Sequence, residues 1–321
     1  MNHHSSRHLI PARVTIVDVS PRDGLQAVRP FIETKDKLRL IHGLISAGIP
    51  KIEVTSFVSP KWVPQLADAE QVIESLNEAS GTSFSVLVLN EKGYERARRT
   101  GRVREIAFVV AATETLNKKN VNMSIADSLR QFTSIAALAK ADGVRTRSII
   151  GVAFVCPHEG LVPVAKIAEL IERLRGAGAE AVTLADTLGA ATPTHVYDLF
   201  VEIKDRFPNE SFAGHFHDTH DLALPNVVAA MEAGIDIFES AVGELGGCQF
   251  TAGARGNVGT ERLVDMLHGM GVETGIDYSR LIEVSKYARA LVHSADGSRV
   301  ASIRENVVAP SLETGAHTNG P

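Results

Sequence analysis

Short apolar, β-rich runs recur along the chain at Val14–Val19, Ile52–Thr55, Phe84–Leu89, Ile106–Val110, Ser148–Val155, Ala181–Leu184, Ser211–Phe216 and Ile237–Ala241. Between them lie stretches whose apolar positions return every three to four residues: Thr34–Ala47, Leu66–Asn77, Ile125–Ala141, Val164–Arg175, Thr194–Phe207, Leu222–Ala233 and Thr260–Met270. Nearly continuous apolar runs of this length predict strands buried on both faces, and the 3.6-residue period predicts amphipathic helices. Gly48, Gly143, Gly178 and Gly234 follow helical stretches as C-terminal stop signals, and Pro163 and Pro193 stand near helix starts. Eight strands alternating with helices predict an α/β fold, a (β/α)8 TIM barrel. A doubly wound open sheet is the rival, but no glycine-rich dinucleotide fingerprint follows the first strand. A further helix, Tyr278–Val292, follows the eighth unit. The expected organisation is a polar tail over 1–13, the barrel over 14–277, a helical extension over 278–309 and a disordered tail over 310–321.

Composition narrows the partners. The chain has 321 residues, 44% of them hydrophobic, and a net charge of −5 with no basic block, which argues against nucleic acid. No apolar run approaches the ~20 residues of a membrane helix, and Met1–Arg13 lacks the apolar stretch of a secretory signal. With only Cys156 and Cys248, the chain argues against a disulfide scaffold, and a reducing, cytoplasmic setting is expected.

If the strands close into a barrel, chemistry belongs at their C-terminal ends. Polar residues in unusual places collect there. The first strand leads into Ser20-Pro21-Arg22-Asp23-Gly24-Leu25-Gln26, and the second carries Glu53 within an apolar run, followed by Thr55 and Ser56. Cys156-Pro157-His158-Glu159-Gly160 follows the fifth strand, Asp186-Thr187 the sixth, and His215-Phe216-His217-Asp218 the seventh. Gly246-Gly247-Cys248 and Gly256-Asn257 follow the eighth. Alternate strand residues face one way, so His215 and His217 present both imidazoles in one direction. An isolated pair of this kind is as easily surface decoration. Closure of the barrel brings the first and seventh strands close, making Asp23 the nearest carboxylate, with Asn257 able to add a neutral oxygen. Two imidazoles, a carboxylate and an amide, without thiolate, suit Mg²⁺, Mn²⁺ or Co²⁺ better than a closed zinc site.

The string Pro21-Arg22-Asp23-Gly24-Leu25-Gln26 resembles the opening signature of the 3-hydroxy-3-methylglutaryl-CoA lyases, within the metal-dependent TIM-barrel lyase and condensing-enzyme superfamily. The resemblance continues through Glu53 to Gln65, Lys118-Lys119-Asn120-Val121-Asn122, Cys156 to Gly160, Asp186-Thr187-Leu188-Gly189, His215 to Thr219, Leu245 to Cys248 and Gly256-Asn257. It implies a carbon–carbon lyase acting on an acyl-CoA, yielding acetyl-CoA and acetoacetate in leucine degradation and ketone-body metabolism. It also implies Mg²⁺ or Mn²⁺ held by Asp23, His215, His217 and Asn257, and a homodimer. The implied catalytic residues are Arg22, which would stabilise the thioester enolate, the lid cysteine Cys248, the carboxylates Glu53 and Asp186, and His215. The implied substrate contacts are Arg22, Gln26, Ser56, Asn120, Thr187 and Arg255, with Lys118 and Lys119 either at the CoA phosphates or solvated. Cys156 reads as a small buried hydrophobe.

This chain departs from the family pattern around the lid. Glu244, Gln249 and Arg255 stand at flanking positions, and His220-Asp221 follows the histidine motif. Glu244 and Arg255 are expected either to pair or to leave Arg255 for a second substrate carboxylate. Two further readings stay open on these departures: the same chemistry on citramalyl-CoA or a longer branched 3-hydroxyacyl-CoA, and a metal-binding regulatory paralogue without catalysis. The absence of a long C-terminal regulatory domain disfavours a condensing synthase.

Overall fold

Eight parallel strands close on themselves in the order β1-β10-β9-β8-β5-β4-β3-β2 in the computed structural model, which describes residues 10–29, 31–77, 81–247 and 256–296. The barrel strands are β1 (Thr15–Asp18), β2 (Lys51–Ser56), β3 (Ser83–Leu87), β4 (Glu105–Ala111), β5 (Arg145–Gly151), β8 (Ala181–Asp186), β9 (Ser211–Phe216) and β10 (Ile237–Ser240). All eight sit within or beside the apolar runs, as expected for strands covered by helices outside and packed side chains within. The closing seam pairs Thr15 with Ile237 and Asp18 with Ser240, and a register shift between Glu53 and Thr55 breaks the β2–β3 ladder near the mouth.

The outer ring comprises α1 (Thr34–Ser46), α2 (Ala69–Glu74), α3 (Glu91–Arg99), α4 (Glu114–Val121), α5 (Ile125–Ala141), α6 (Val164–Gly176), α7 (Pro193–Arg206), α8 (Ala223–Glu232) and α9 (Thr260–Gly269). Most lay an apolar row on the barrel, for instance Leu40, Ile41 and Leu44 of α1 and Val196, Leu199, Phe200 and Ile203 of α7, all buried. Helix α3 is absent from the helical patterns because its sequence is almost wholly polar. It buries only Gly93, Tyr94 and Ala97, and Asn90 caps it by accepting from the Gly93 N–H at 2.8 Å. The stretch expected as one helix from Leu66 begins with a 3₁₀ turn, Pro64–Leu66, before α2. The run expected as a strand to Val155 leaves the barrel after Gly151. Val155–Cys156 (β6) instead pairs antiparallel with Gly160–Leu161 (β7), a two-stranded ribbon in the loop after β5.

The extra helix forms as α10 (Tyr278–Asp296) and packs on α1, α9 and the 3₁₀ turn Val242–Glu244, burying Leu281, Val284 and Ala288. Ser285 and Arg289 bond to Glu261 of α9 at 2.6 and 2.7 Å, so this face of α10 is used within the chain. At the other end, Ala12 and Val14 exchange backbone hydrogen bonds with Glu273, drawing the last residues of the expected tail against the barrel. The segment expected to be disordered, 310–321, lies outside the described residues. Among the described residues no helix is long and apolar enough to cross a membrane.

Candidate active site

The segment after β1 is a π-type turn, Ser20–Gly24, in which the Val19 carbonyl accepts from Asp23 N–H at 2.8 Å and Gly24 N–H at 3.2 Å. Such turns recur at functional sites because the bulge redirects side chains. Here it aims Arg22 and Asp23 across the mouth. The Arg22 Nε pairs with Glu53 Oε1 from the centre of β2, and Nη1 lies 2.5 Å from Asp23 Oδ1. Asp23 Oδ1 also accepts from Gln26 Nε2, and Oδ2 from Asn257 Nδ2, each at 2.8 Å. Arg22 is 5% exposed, so its planar charge is held in one orientation by two carboxylates.

Opposite stand His215, on β9, and His217, just beyond it. One ligand atom from each of Asp23, His215 and His217 can be chosen so that all three lie within 4.8 Å of one another. Glu239 of β10 engages His215 Nδ1 at 2.8 Å, an arrangement that fixes the ring and leaves Nε2 as the nitrogen for a ligand. Burial drives both imidazoles toward the neutral form, His215 down to about 3 and His217 in the same direction. Burial alone would raise Asp23, but the adjacent Arg22 charge, the two histidines and the Asn257 hydrogen bond together outweigh it and hold the carboxyl well below its usual range. Neutral imidazoles beside an ionised carboxylate are the protonation states that bind a metal.

The site also carries unspent ligand capacity. Asn257 Oδ1 and His217 Nδ1 are buried and have no hydrogen-bond partner among the described residues. Such orphans are uncommon unless something else satisfies them. With oxygen and nitrogen donors and no thiolate, this set fits a divalent cation such as Mg²⁺ or Mn²⁺. The glycines at the base of the loop after β10 make the geometry possible. A Cβ on Gly256 would lie 2.3 Å from the Gly246 carbonyl, and one on Gly246 2.7 Å from Asn257 Nδ2.

The other expected site residues are less convergent. Glu53 is fully buried against Arg22. The Asp186 carboxylate is taken up by the loop after β8, accepting from Ala190 N–H at 3.2 Å and Ala191 N–H at 2.9 Å. Burial nevertheless pushes it up to about 6. Gln26 is committed to Asp23, Ser56 donates to the Leu87 carbonyl at 3.3 Å, and Thr187 Oγ1 accepts from Val152 N–H at 3.1 Å. Asn120, Lys118 and Lys119 are exposed on α4, where Lys119 approaches His158 of the ribbon at 3.1 Å. Cys248, Gln249 and Arg255 lie outside the described residues. Glu244 pairs with Arg262 at 3.2 Å, and Arg262 also holds Asp218 at 2.8 Å. Cys156 is buried against Thr113.

Three residues beneath the site have no counterpart among the expected ones: Glu239, Arg147 and Asp18. Glu239 carries the same signal that singled out Glu53, a charge inside an apolar run, whereas Arg147, between Thr146 and Ser148 and just before the Ser148–Val155 run, does not. Asp18 ends β1 and ties Ser20, Val242 N–H and Thr260 together at the seam.

A closed (β/α)8 barrel with a candidate cation site and a fixed guanidinium at its C-terminal mouth is the architecture of a barrel enzyme. The family model described as HMGL-like matches residues 13–287, running into α10, and the chain belongs to that family. It is a lyase of the hydroxymethylglutaryl-CoA lyase type. The mitochondrial hydroxymethylglutaryl-CoA lyase of Rattus norvegicus is 39% identical over 297 residues, covering 92% of this chain and 91% of the relative. A 3-hydroxy-3-isohexenylglutaryl-CoA/hydroxymethylglutaryl-CoA lyase of Pseudomonas aeruginosa is 39% identical, covering 91% and 97%. The structure of an HMG-CoA lyase from Acinetobacter baumannii, in complex with coenzyme A and 3-methylmalate, superposes with a TM-score of 0.83 at 34% identity, covering 92% and 98%.

Proposed function

We propose that this chain cleaves 3-hydroxy-3-methylglutaryl-CoA to acetyl-CoA and acetoacetate. The observation that carries the reading is the fixed Arg22 guanidinium beside the Asp23–His215–His217 cluster. Asp23, His215, His217 and the orphaned Asn257 Oδ1 would hold Mg²⁺ or Mn²⁺. When bound, that cation supplies Lewis acidity to the substrate's hydroxyl and carbonyl oxygens. In the cleavage the 3-hydroxyl loses its proton, the C2–C3 bond breaks, C3 becomes the ketone of acetoacetate, and the electron pair stays on C2 as the thioester enolate. Arg22 sits to stabilise that enolate oxygen, and Glu53 and Asp23 keep its donors from rotating away. A proton from the Cys248 thiol to C2 completes acetyl-CoA, and the proton released from the 3-hydroxyl returns through solvent to the thiolate. Low solvent access around Arg22 and the histidines strengthens these interactions.

The family likeness extends the proposal to a cytoplasmic homodimer in leucine degradation and ketone-body formation. Lys118 and Lys119 are assigned to the CoA phosphates. The Pseudomonas relative is as similar as the rat enzyme and is named for a longer branched acyl group as well, which keeps that substrate in the test. The purified protein is assayed on methylglutaryl, isohexenylglutaryl and citramalyl thioesters, with Mg²⁺, Mn²⁺ or EDTA. The proposal expects acetoacetate from the methylglutaryl ester, abolished by EDTA, and lowered on the order of 10²–10³-fold in kcat by Arg22→Gln. No acetoacetate, or full turnover by Arg22→Gln, would refute it.

A further inference from the structure

Below the mouth, Arg147 of β5 reaches across the barrel interior to both sides of the site. Its Nη2 lies 2.7 Å from Glu53 Oε2, and its Nη1 pairs with Glu239 Oε1 and lies 3.1 Å from Thr183 Oγ1. Nε faces Glu105 at 3.5 Å. Arg147 is 4% exposed, and Glu53, Glu239 and Glu105 are buried with it. Each of the two upper carboxylates divides its oxygens. Glu53 gives Oε1 to Arg22 and Oε2 to Arg147. Glu239 gives Oε2 to His215 and Oε1 to Arg147 and Thr183.

We propose that Arg147 is a positioning residue that sets, through Glu53 and Glu239, the orientation of both Arg22 and His215. A planar guanidinium with five donors in a fixed fork can hold two carboxylates at a set separation, whereas an ammonium is a point charge. A Glu side chain turns about three torsions, so pinning one oxygen from below decides where the other points. The residue on β5 thereby sets the distance between a guanidinium on the β1 side and a metal-ligating imidazole on the β9 side. A network serving stability alone needs only to neutralise the buried carboxylates. This one also hands one oxygen of each upward to a site residue.

The kinetic part of the test rests on the proposed lyase activity; the metal-binding part does not. Mn²⁺ alone is titrated into the full-length protein, followed by electron paramagnetic resonance, for the parent, Arg147→Lys and Arg147→Met, with circular dichroism and Tm recorded alongside. Arg147→Lys keeps the buried charge and is expected to fold with a Tm close to the parent, yet to bind Mn²⁺ on the order of 10-fold more weakly, as for lost outer partners of ligating histidines. Its kcat on the methylglutaryl thioester is expected to fall about 10²-fold with KM changed little, since misplacement near 1 Å acts on the transition state. Arg147→Met, where it folds, is expected to lose more of both. Parent-like Mn²⁺ affinity in a folded Arg147→Lys would overturn the proposal. Failure of both variants to fold would do so equally, by assigning Arg147 to stability. If Mn²⁺ affinity falls while no thioester is cleaved by the parent, the positioning role stands and the substrate reading fails.

Discussion

Gly256→Ala tests how tightly the base of the loop after β10 sets the site. The added methyl would lie 2.3 Å from the Gly246 carbonyl carbon and oxygen and 2.8 Å from Gly247 N, all backbone atoms that no rotamer change can clear. Restoring contact near 3.5 Å requires the two segments to part by about 1 Å. The strain passes directly to Asn257, whose Nδ2 donates to Leu245 O at 3.1 Å and to Asp23 Oδ2 at 2.8 Å. Overpacking of this kind costs about 1–3 kcal/mol, and displacement near 1 Å at a catalytic centre costs about 10²-fold in rate. The assay pairs kcat on the cleaved thioester with Mn²⁺ affinity and Tm. Gly247→Ala is the control: among the described residues nothing lies within 4 Å of its added methyl, so Mn²⁺ affinity and Tm should match the parent. A Gly256→Ala protein with both kcat and Mn²⁺ affinity within about twofold of the parent would show that the close approach of Gly256 and Gly246 does not set the site.

Saturating Mn²⁺ should raise Tm, since a ligand of the folded state at 100 times its Kd adds about 2.7 kcal/mol; a Tm indifferent to metal and to EDTA would contradict the cluster's assignment. Asp18 gives a pH signature. Burial raises its carboxyl from 3.8 to about 6. Its stabilising contribution is therefore complete below pH 3.8, is lost as pH rises toward 6, and is flat above; the loss is roughly 3 kcal/mol. Urea unfolding of Asp18→Asn across pH 4 to 7 should show less of this decline than the parent, and an identical slope would refute it. The Asn variant is also expected to be less stable throughout, because its amide faces donors that the carboxylate accepts from. Asn117 bonds to Ala111 N–H at 2.9 Å, Met123 O at 2.9 Å and Ser128 Oγ at 2.8 Å. Asn117→Ala should cost about 1–3 kcal/mol per buried group left unpaired, read as a lowered urea midpoint; an unchanged midpoint would mean water replaces it.

Much of the architecture was legible because it is written in local pattern. A strand covered on both faces must be apolar along its length, and a helix lying on it must repeat near 3.6. Runs such as Ala181–Leu184 and Ile125–Ala141 therefore identify themselves without neighbours. The pattern failed where packing does not require it, at α3 and at α4, which buries only Leu116 and Asn117, and where an apolar run leaves the sheet, after Gly151. Asp23, His215 and His217 were legible because barrel closure by itself brings the ends of β1 and β9 to one mouth. The partnerships beneath them were not. Arg147 meets Glu239 and Glu53 across sequence separations of 92 and 94 residues, and Asn257 meets Asp23 across 234. Which inward side chains share a layer depends on strand stagger and on the closed order of the sheet, properties of the assembled barrel. From sequence come the barrel, its chemical end and the three residues, Asp23, His215 and His217, that cluster there. The tertiary structure alone decided that one buried arginine ties the two halves of the site together, because its carboxylate partners come from β2 and β10, the two strands that flank β1 across the barrel from β5.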